Sequence, residues 1–170
     1  LCQEEIKNEI KDLIFIPEED DTKILHKNID ITGSIRNEEI AKVASELSAL
    51  SETRKSLIDI QRNFMLNKNL IADGRDMGTV VFPEADLKIF LDASPEIRAK
   101  RRYLELQNRG QEVNMRDLIE DIEARDLLDK TRALSPLVPA DDSIIVDSSS
   151  MSLDEVLSFT KKLIKKEFNI

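Results

Sequence analysis

Tryptophan is absent from the 170 residues, and aromatic side chains make up only 4% of them. Proteins that bind single-stranded nucleic acid stack the bases on aromatic rings, so this composition argues against that function. The charge argues the same way, because 34 acidic residues outnumber 25 basic ones and give a net charge of −9. A general binder of nucleic acid or of an anionic membrane normally carries the opposite sign. We therefore expect neither as a partner.

Cysteine and histidine occur once each, as Cys2 and His26. A single cysteine forms no internal disulfide, and the two residues are too few for a metal site, so we interpret both as structural. No apolar run approaches the roughly 18 residues that span a membrane, and no signal-peptide pattern is visible. These absences predict a reducing, cytoplasmic setting. The 35% of charged residues is typical of a folded, charge-rich protein of one domain.

The first part of the chain combines β and helical patterns. Three short apolar runs separated by turn residues predict a small antiparallel sheet within residues 1–35. The runs are residues 13–16, 22–26 and 29–32. Apolar residues at helical spacing then predict two helices within residues 36–68, with Asn37 and Ser51 as their N-caps.

From residue 69 onward, predicted strands alternate with predicted helices, which is typical of a parallel sheet in an α/β protein. The strands are residues 70–72, 88–92 and 144–147, and the helices are residues 96–107, 115–130 and 153–168. Pro95 suits the first turn of the first of these helices, and Ser152 suits the cap of the last. In such sheets, ligands bind beyond the carboxyl ends of the strands.

Arginine is confined to the middle of the chain, where all eleven residues lie between Arg36 and Arg132. The planar fork of arginine binds phosphate in a bidentate manner, so this distribution suggests a local anion site. The alternative is that these arginines pair with the abundant carboxylates on helix surfaces.

Three groups of residues are candidates for such a site. Residues 73–79 directly follow an apolar run, place Arg75 at the mouth of the sheet and contain two glycines that permit close backbone approach to a ligand. Asp73 resembles the acid that supports Mg²⁺ in phosphate-loop enzymes, although a β-turn with a capping aspartate explains the segment equally well. Two helices add stripes of charged residues, at i, i+3 and i+4 on the first helix and at i, i+4 and i+7 on the second. The stripes are Arg98, Arg101 and Arg102 on one helix, and Arg125, Asp129 and Arg132 on the next.

Residues 73–83, Asp-Gly-Arg-Asp-Met-Gly-Thr-Val-Val-Phe-Pro, resemble the signature segment of the bacterial cytidylate kinase family. Further segments agree with this family in order over roughly residues 28–165. They are residues 33–36, 43–45, 54, 61–64, 88–94, 98–102, 125–132, 136–137 and 146–148. The resemblance implies transfer of phosphate from ATP to CMP or dCMP, with Mg²⁺, by a protein that is a monomer.

The resemblance also implies a fold, the phosphate-loop nucleoside monophosphate kinase fold with a parallel-sheet core. Residues 1–35 would form its small antiparallel β insert and residues 36–68 the helical monophosphate-binding region. Residues 69–170 would form the α/β kinase core, with a short mobile lid near residues 108–114.

The roles that the resemblance implies are assigned residue by residue. Cytosine would be recognised by Ser45, Arg54 and Asp76, because a pyrimidine is distinguished through hydrogen bonds to its edge. Asp129 would face the sugar hydroxyls. The acceptor phosphate would be held by Arg75, Arg125 and Arg132. The donor nucleotide would contact Arg98, Arg101 and Arg102, and Asp73 would support the metal through water.

One departure from the family concerns the phosphate loop, because the sequence contains no Gly-x-x-x-x-Gly-Lys-[Ser/Thr]. We expect the N-terminal strand, loop and helix of the family to be missing from this chain, so that this chain alone would be inactive. The intact protein would be a kinase. In the intact protein, Arg132→Ala would cripple turnover and leave the fold intact. The alternatives are a non-catalytic nucleotide-binding remnant and an RNA- or protein-interaction module.

Overall fold

The structure is a computed structural model that describes residues 3–18, 22–48, 50–65 and 69–170. Cys2 lies outside the described residues. The chain divides into two compact units, residues 1–71 and residues 72–170. The first contains an antiparallel sheet and the second a parallel one, so the predicted mixed α/β class is confirmed.

The first unit contains a three-stranded antiparallel sheet in the order β1-β2-β3. Its strands are β1 (Leu13–Pro17), β2 (Thr22–His26) and β3 (Ile29–Asp30). Lys27 and Asn28, which join β2 to β3, both have positive φ angles, of 50° and 64°. Two residues with positive φ match the right-handed twist of the strands that they connect. The predicted small antiparallel sheet is therefore confirmed.

Helix α1 (Gln3–Lys11) precedes this sheet and is absent from the sequence prediction, which assigned only β structure to residues 1–35. Its signal is short, because one pair of isoleucines at i, i+4 spacing, Ile6 and Ile10, forms its apolar stripe. A polar contact fixes the helix to the sheet: Lys27 Nζ donates to Glu9 Oε2 at 3.0 Å. The same lysine lowers the pKa of Glu9 through this hydrogen bond and its charge.

Two helices complete the first unit, α2 (Glu38–Ser48) and α3 (Ser51–Asn63). The predicted cap at Asn37 is confirmed, because its Oδ1 accepts the Ile40 N–H at 2.9 Å. The predicted cap at Ser51 is wrong. Ser51 is already helical, and the capping position is occupied by Leu50, which is extended and makes no side-chain cap.

The second unit has two parallel strands, β4 (Ile89–Asp92) and β5 (Ile144–Asp147), which pair along their whole length. Its helices are α4 (Pro95–Asn108), α5 (Met115–Thr131) and α6 (Leu153–Phe168). The predicted strand at residues 70–72 is wrong, because these residues have no regular structure. Three apolar residues are too short a run to identify a buried strand, and Ile71 is 91% exposed. The buried apolar residues of this unit are Val81, Ala93, Ala99, Leu106 and Val146.

The ends of these helices follow the sequence rules. Pro95 occupies the first turn of α4, whose cap is the Ser94 hydroxyl. Asn114 caps α5 by accepting the Arg116 N–H at 2.9 Å. Ser152 caps α6 as predicted, within a reciprocal capping box with Glu155. Within the described residues, none of the helices is long and apolar enough to cross a lipid bilayer.

The capping box of Ser152 and Glu155 provides a test of what stabilises the start of α6. Ser152→Ala removes the hydroxyl that accepts the Glu155 N–H, so we expect a loss of about 1 kcal/mol in unfolding free energy. In a chain of this size that corresponds to a fall of roughly 2–4 °C in melting temperature, measured by circular dichroism. Ser158→Ala, on an exposed position of the same helix, is the control. Equal melting of the two variants would contradict a stabilising cap.

Candidate anion-binding site

A π-helical turn, Met77–Val81, lies between Asp76 and Phe82. The carbonyl of Asp76 accepts the N–H groups of Val80 and Val81 at 2.9 and 3.2 Å, and Asp76 itself is buried. π-Helical turns are rare and occur frequently at functional sites. A Cβ at Gly78 would lie 3.3 Å from the Lys88 side chain, a tight contact that this lysine would have to relieve by shifting. The turn therefore gives the segment with Arg75 and Asp76 a fixed backbone.

The buried carboxylate of Asp129 joins this segment to α5. Arg75 Nε donates to Asp129 Oδ2, and Arg132 Nη1 lies 3.4 Å from Asp129 Oδ1. Arg132 Nε donates in turn to the carbonyl of Ser135. We call Arg75, Asp129 and Arg132 the Asp129 triad. One carboxylate thus holds two guanidinium groups that are far apart in the sequence.

The sequence predicts that Arg132 shares a helical stripe with Arg125 and Asp129. This is wrong, because α5 ends at Thr131. Arg132 is the C-cap residue and leaves the helix with φ −61° and ψ 141°. Its side chain is 12% exposed and returns to Asp129 from beyond the helix end. The predicted single stripe is therefore wrong for Arg132, which reaches Asp129 through the end of the helix rather than through helical periodicity.

Arg125 differs from the two arginines of the triad, because it pairs with no carboxylate among the residues that the structure describes; like Arg75, it is exposed. It lies one helical turn before Asp129, on the same side of α5. Arg75, Arg125 and Arg132 together carry more positive charge than the one carboxylate of Asp129 neutralises. Guanidinium groups in this number suit a phosphate dianion, which accepts several charge-assisted hydrogen bonds at once.

The arginines of the basic stripe predicted on α4 make separate contacts within the protein. Arg98, Arg101 and Arg102 each bind a different protein partner, so the structure does not bring them together as one anion site. Arg98 binds Asp126 of α5, and Arg102 Nη1 donates to Glu105 at 2.8 Å. Arg101 Nη2 donates to the carbonyl of Ser148 at 2.7 Å. Their contact with a donor nucleotide stays a prediction.

Asp126 is the residue of this region that sequence reasoning missed. Arg98 lowers the pKa of the Asp126 carboxyl, mainly through their hydrogen bonds, and Lys130 and Arg75 lower it further by charge. The signal was present in the spacing, because Asp126 and Asp129 are separated by three residues and so lie on one side of α5. Two carboxylates on one helix face can neutralise two incoming arginines, here Arg98 and Arg75.

Asp73, the predicted metal-supporting residue, is exposed and precedes the bend at residues 74–76. Within the described part of the chain, no group of three or more His, Cys, Asp or Glu residues could hold a metal ion. Mg²⁺ commonly takes only one or two carboxylates and completes its shell with water and substrate phosphates. A single carboxylate therefore fits an ion that arrives with a nucleotide, and does not fit a metal held by protein ligands alone.

The remaining predicted site residues belong to the first unit. Ser45 lies on α2, and the half-buried Arg54 lies on α3. The two helices contact each other within that unit. Their roles in recognising a base stay predictions.

Comparison with known proteins identifies the family to which the sequence belongs. The family model described as cytidylate kinase matches residues 4–166. The chain is 46% identical over 159 residues to a cytidylate kinase from Pasteurella multocida, covering 94% of the chain and 70% of that protein. It is 47% identical to cytidylate kinase 1 from Haemophilus influenzae (86% and 63% covered) and 40% identical to a cytidylate kinase from Mannheimia succiniciproducens (99% and 79% covered).

A mixed α/β chain that is matched over nearly its whole length by kinases is placed among the phosphotransferases. More specifically, the chain belongs to the cytidylate kinase family. It spans 63–79% of the length of the three relatives named above.

Proposed function

We propose that the whole protein transfers the γ-phosphoryl group of ATP to CMP or dCMP, giving ADP and CDP or dCDP. The observation that carries this proposal is the cluster formed by the Asp129 triad and Arg125, which offers more positive charge than the one carboxylate neutralises. Membership of the cytidylate kinase family supports the same acceptor. A nucleoside monophosphate brings the dianion for which such a cluster is suited.

In this proposal the fold is that of a phosphate-loop nucleoside monophosphate kinase. Residues 1–35 and 36–68 form the monophosphate-binding part, and residues 69–170 form the kinase core. The segment near residues 108–114 serves as the lid; it joins α4 to α5 and includes Gly110 with a φ of 73°. The 170 residues contain no Gly-x-x-x-x-Gly-Lys-[Ser/Thr], so the proposal assigns the ATP phosphate cradle to a part of the whole protein outside them.

The mechanism needs no dedicated base, because phosphoryl transfer is catalysed by in-line positioning and by stabilisation of charge on the transferred group. The acceptor phosphate is held by Arg75, Arg125 and Arg132. Asp129 orients Arg75 and Arg132. Closing of the lid excludes water, so that CMP rather than water is the acceptor. Ser45, Arg54 and Asp76 recognise the cytosine, and Asp129 also reaches the sugar hydroxyls.

Mg²⁺ enters this proposal as the partner of ATP. When bound, it neutralises charge on the β- and γ-phosphate oxygens. Asp73 is the residue of this chain that would support it, through a bound water. The acceptor side depends instead on arginine and requires no metal ligand.

The proposal is tested by measuring ADP formation in the whole protein with CMP, dCMP and AMP as acceptors. We expect turnover with CMP or dCMP and a kcat/KM for AMP lower by at least about 100-fold, because a site that hydrogen-bonds a pyrimidine edge leaves polar groups unpaired with a purine. Raised melting temperature with CMP but no turnover would support a non-catalytic binding protein instead. Tight, steeply salt-dependent binding of polynucleotide without turnover would support an interaction module.

A further inference from the structure

Each of the three guanidinium nitrogens of Arg98 donates a hydrogen bond within the protein. Its Nη1 and Nη2 donate to the two oxygens of Asp126, with 2.9 Å between Nη1 and Oδ1. Its Nε donates to the carbonyl of Ala93 at 2.9 Å. The side chains of Arg98 and Asp126 are 32% and 21% exposed, so much of the pair is removed from water. A bidentate, half-buried pair of this kind fixes distance and angle together.

The inference depends on where the Arg98–Asp126 pair lies in the fold rather than on how strong the pair is. Ala93 directly follows the last residue of β4, at the edge where parallel strands present their carboxyl ends to ligands. Asp126 lies in the middle of α5, between Arg125 and the carboxylate of Asp129 one turn later. Arg98 therefore ties the end of β4 and the start of α4 to the part of α5 that carries the proposed phosphate-binding residues. The charge of Arg75 also acts on Asp126, which places the pair beside the Asp129 triad.

We propose that Arg98 and Asp126 are a positioning pair, which sets the place of α5, and with it Arg125 and Asp129, relative to the end of β4. This inference rests on the proposed function. It gives Arg98 a task on the acceptor side, whereas the sequence suggested contact with the donor nucleotide. The two roles differ in what they require of Asp126: a donor contact by Arg98 needs no partner on α5, whereas a positioning pair fails when either member is changed.

The test is a set of variants of the whole protein, Asp126→Asn, Arg98→Lys and the double variant. Each single change breaks the bidentate geometry, so we expect kcat/KM for CMP to fall about 100-fold, the loss that a displacement of about 1 Å produces in a preorganised site. The KM for ATP should stay within about twofold of wild type. The double variant should be no worse than either single one, because interactions within one pair are not additive.

Three further measurements distinguish a positioning role of the Arg98–Asp126 pair from a role in stability alone. Asp126→Glu keeps the carboxylate and should recover part of the lost kcat/KM at a melting temperature close to that of Asp126→Asn. Glu120→Gln breaks an exposed pair with Arg116 on the same helix and should change no kinetic parameter. Melting temperatures of all variants are recorded by circular dichroism, so that loss of folded protein is recognised.

Four outcomes would overturn the inference. A raised KM for ATP in Arg98→Lys, with Asp126→Asn unchanged, would make Arg98 a donor-nucleotide contact. A lower melting temperature in Asp126→Asn with an unchanged kcat/KM would make the pair merely structural. A wild-type protein that does not phosphorylate CMP would reject the proposed function and this inference with it, whereas an active wild type with additive variants would reject the inference alone.

Discussion

Arg125→Ala is expected to lower kcat/KM for CMP by about 100- to 1,000-fold in the whole protein and to leave its melting temperature unchanged. Removing one donor that stabilises developing charge costs a factor of this size in other enzymes. The fold is unaffected because Arg125 is exposed and, within the described residues, has no ion-pair partner to lose. Steady-state kinetics with varied CMP and a thermal melt of the same preparation measure both effects.

Arg116→Ala is the matched control, because Arg116 lies on the same helix and its side chain pairs with Glu120 at an exposed position. Its kinetics should remain within about twofold of wild type, since exposed ion pairs contribute little. Arg125→Lys keeps the charge and loses the planar fork, so it should recover only part of the activity. If Arg125→Ala retained full kcat/KM, the acceptor phosphate would have to be held elsewhere.

Arg132 is a less direct test than the sequence suggested. The sequence predicts that Arg132→Ala cripples turnover and leaves the fold intact. In the structure, however, Arg132 closes α5 through its N–H on the Leu128 carbonyl and binds both Asp129 and Ser135 through its side chain. Alanine at this position would therefore lower stability and activity together, and the two losses could not be assigned separately.

The regular elements of the second unit were largely predictable from the sequence. Strands β4 and β5 and helices α4, α5 and α6 lie within one or two residues of their predicted bounds. Their apolar runs are bounded by strong signals, such as Ser94-Pro95 before α4 and Ser152 with Glu155 at the start of α6. Where the signal was weak, as in α1 or at residues 70–72, the prediction failed because a few apolar residues fit several structures equally well.

The candidate site was predictable as a set of residues but not as a set of contacts. Helical spacing indicates which residues share a face, so Asp129 beside Arg125 could be expected. It does not indicate which partner approaches that face from elsewhere in the chain. The pairs of Arg75 with Asp129 and of Arg98 with Asp126 join residues 54 and 28 positions apart. Such pairs follow from how the elements pack, which a single sequence does not specify.

Asp129→Asn is expected to lower the free energy of unfolding by about 3–5 kcal/mol, the usual cost of removing one member of a buried ion pair. For a protein of this size the melting temperature should fall by roughly 10 °C. The carboxylate of Asp129 is 8% exposed and pairs with both Arg75 and Arg132, so its loss leaves the buried Arg132 and the more exposed Arg75 without their shared anion. Asp121→Asn, at an exposed position of the same helix, should melt like wild type.

The same variant also tests whether the cluster binds phosphate. In Asp129→Asn the two arginines lack their carboxylate, so a phosphate dianion can replace it and should raise the melting temperature of this variant more than that of wild type. Potassium chloride at equal ionic strength is the control for charge screening, because screening acts without selecting one anion over another. If phosphate and chloride had equal effects, Asp129 would hold the arginines for the fold alone. A larger effect of phosphate would mean that Asp129 keeps Arg75 and Arg132 in the place that the acceptor phosphate requires.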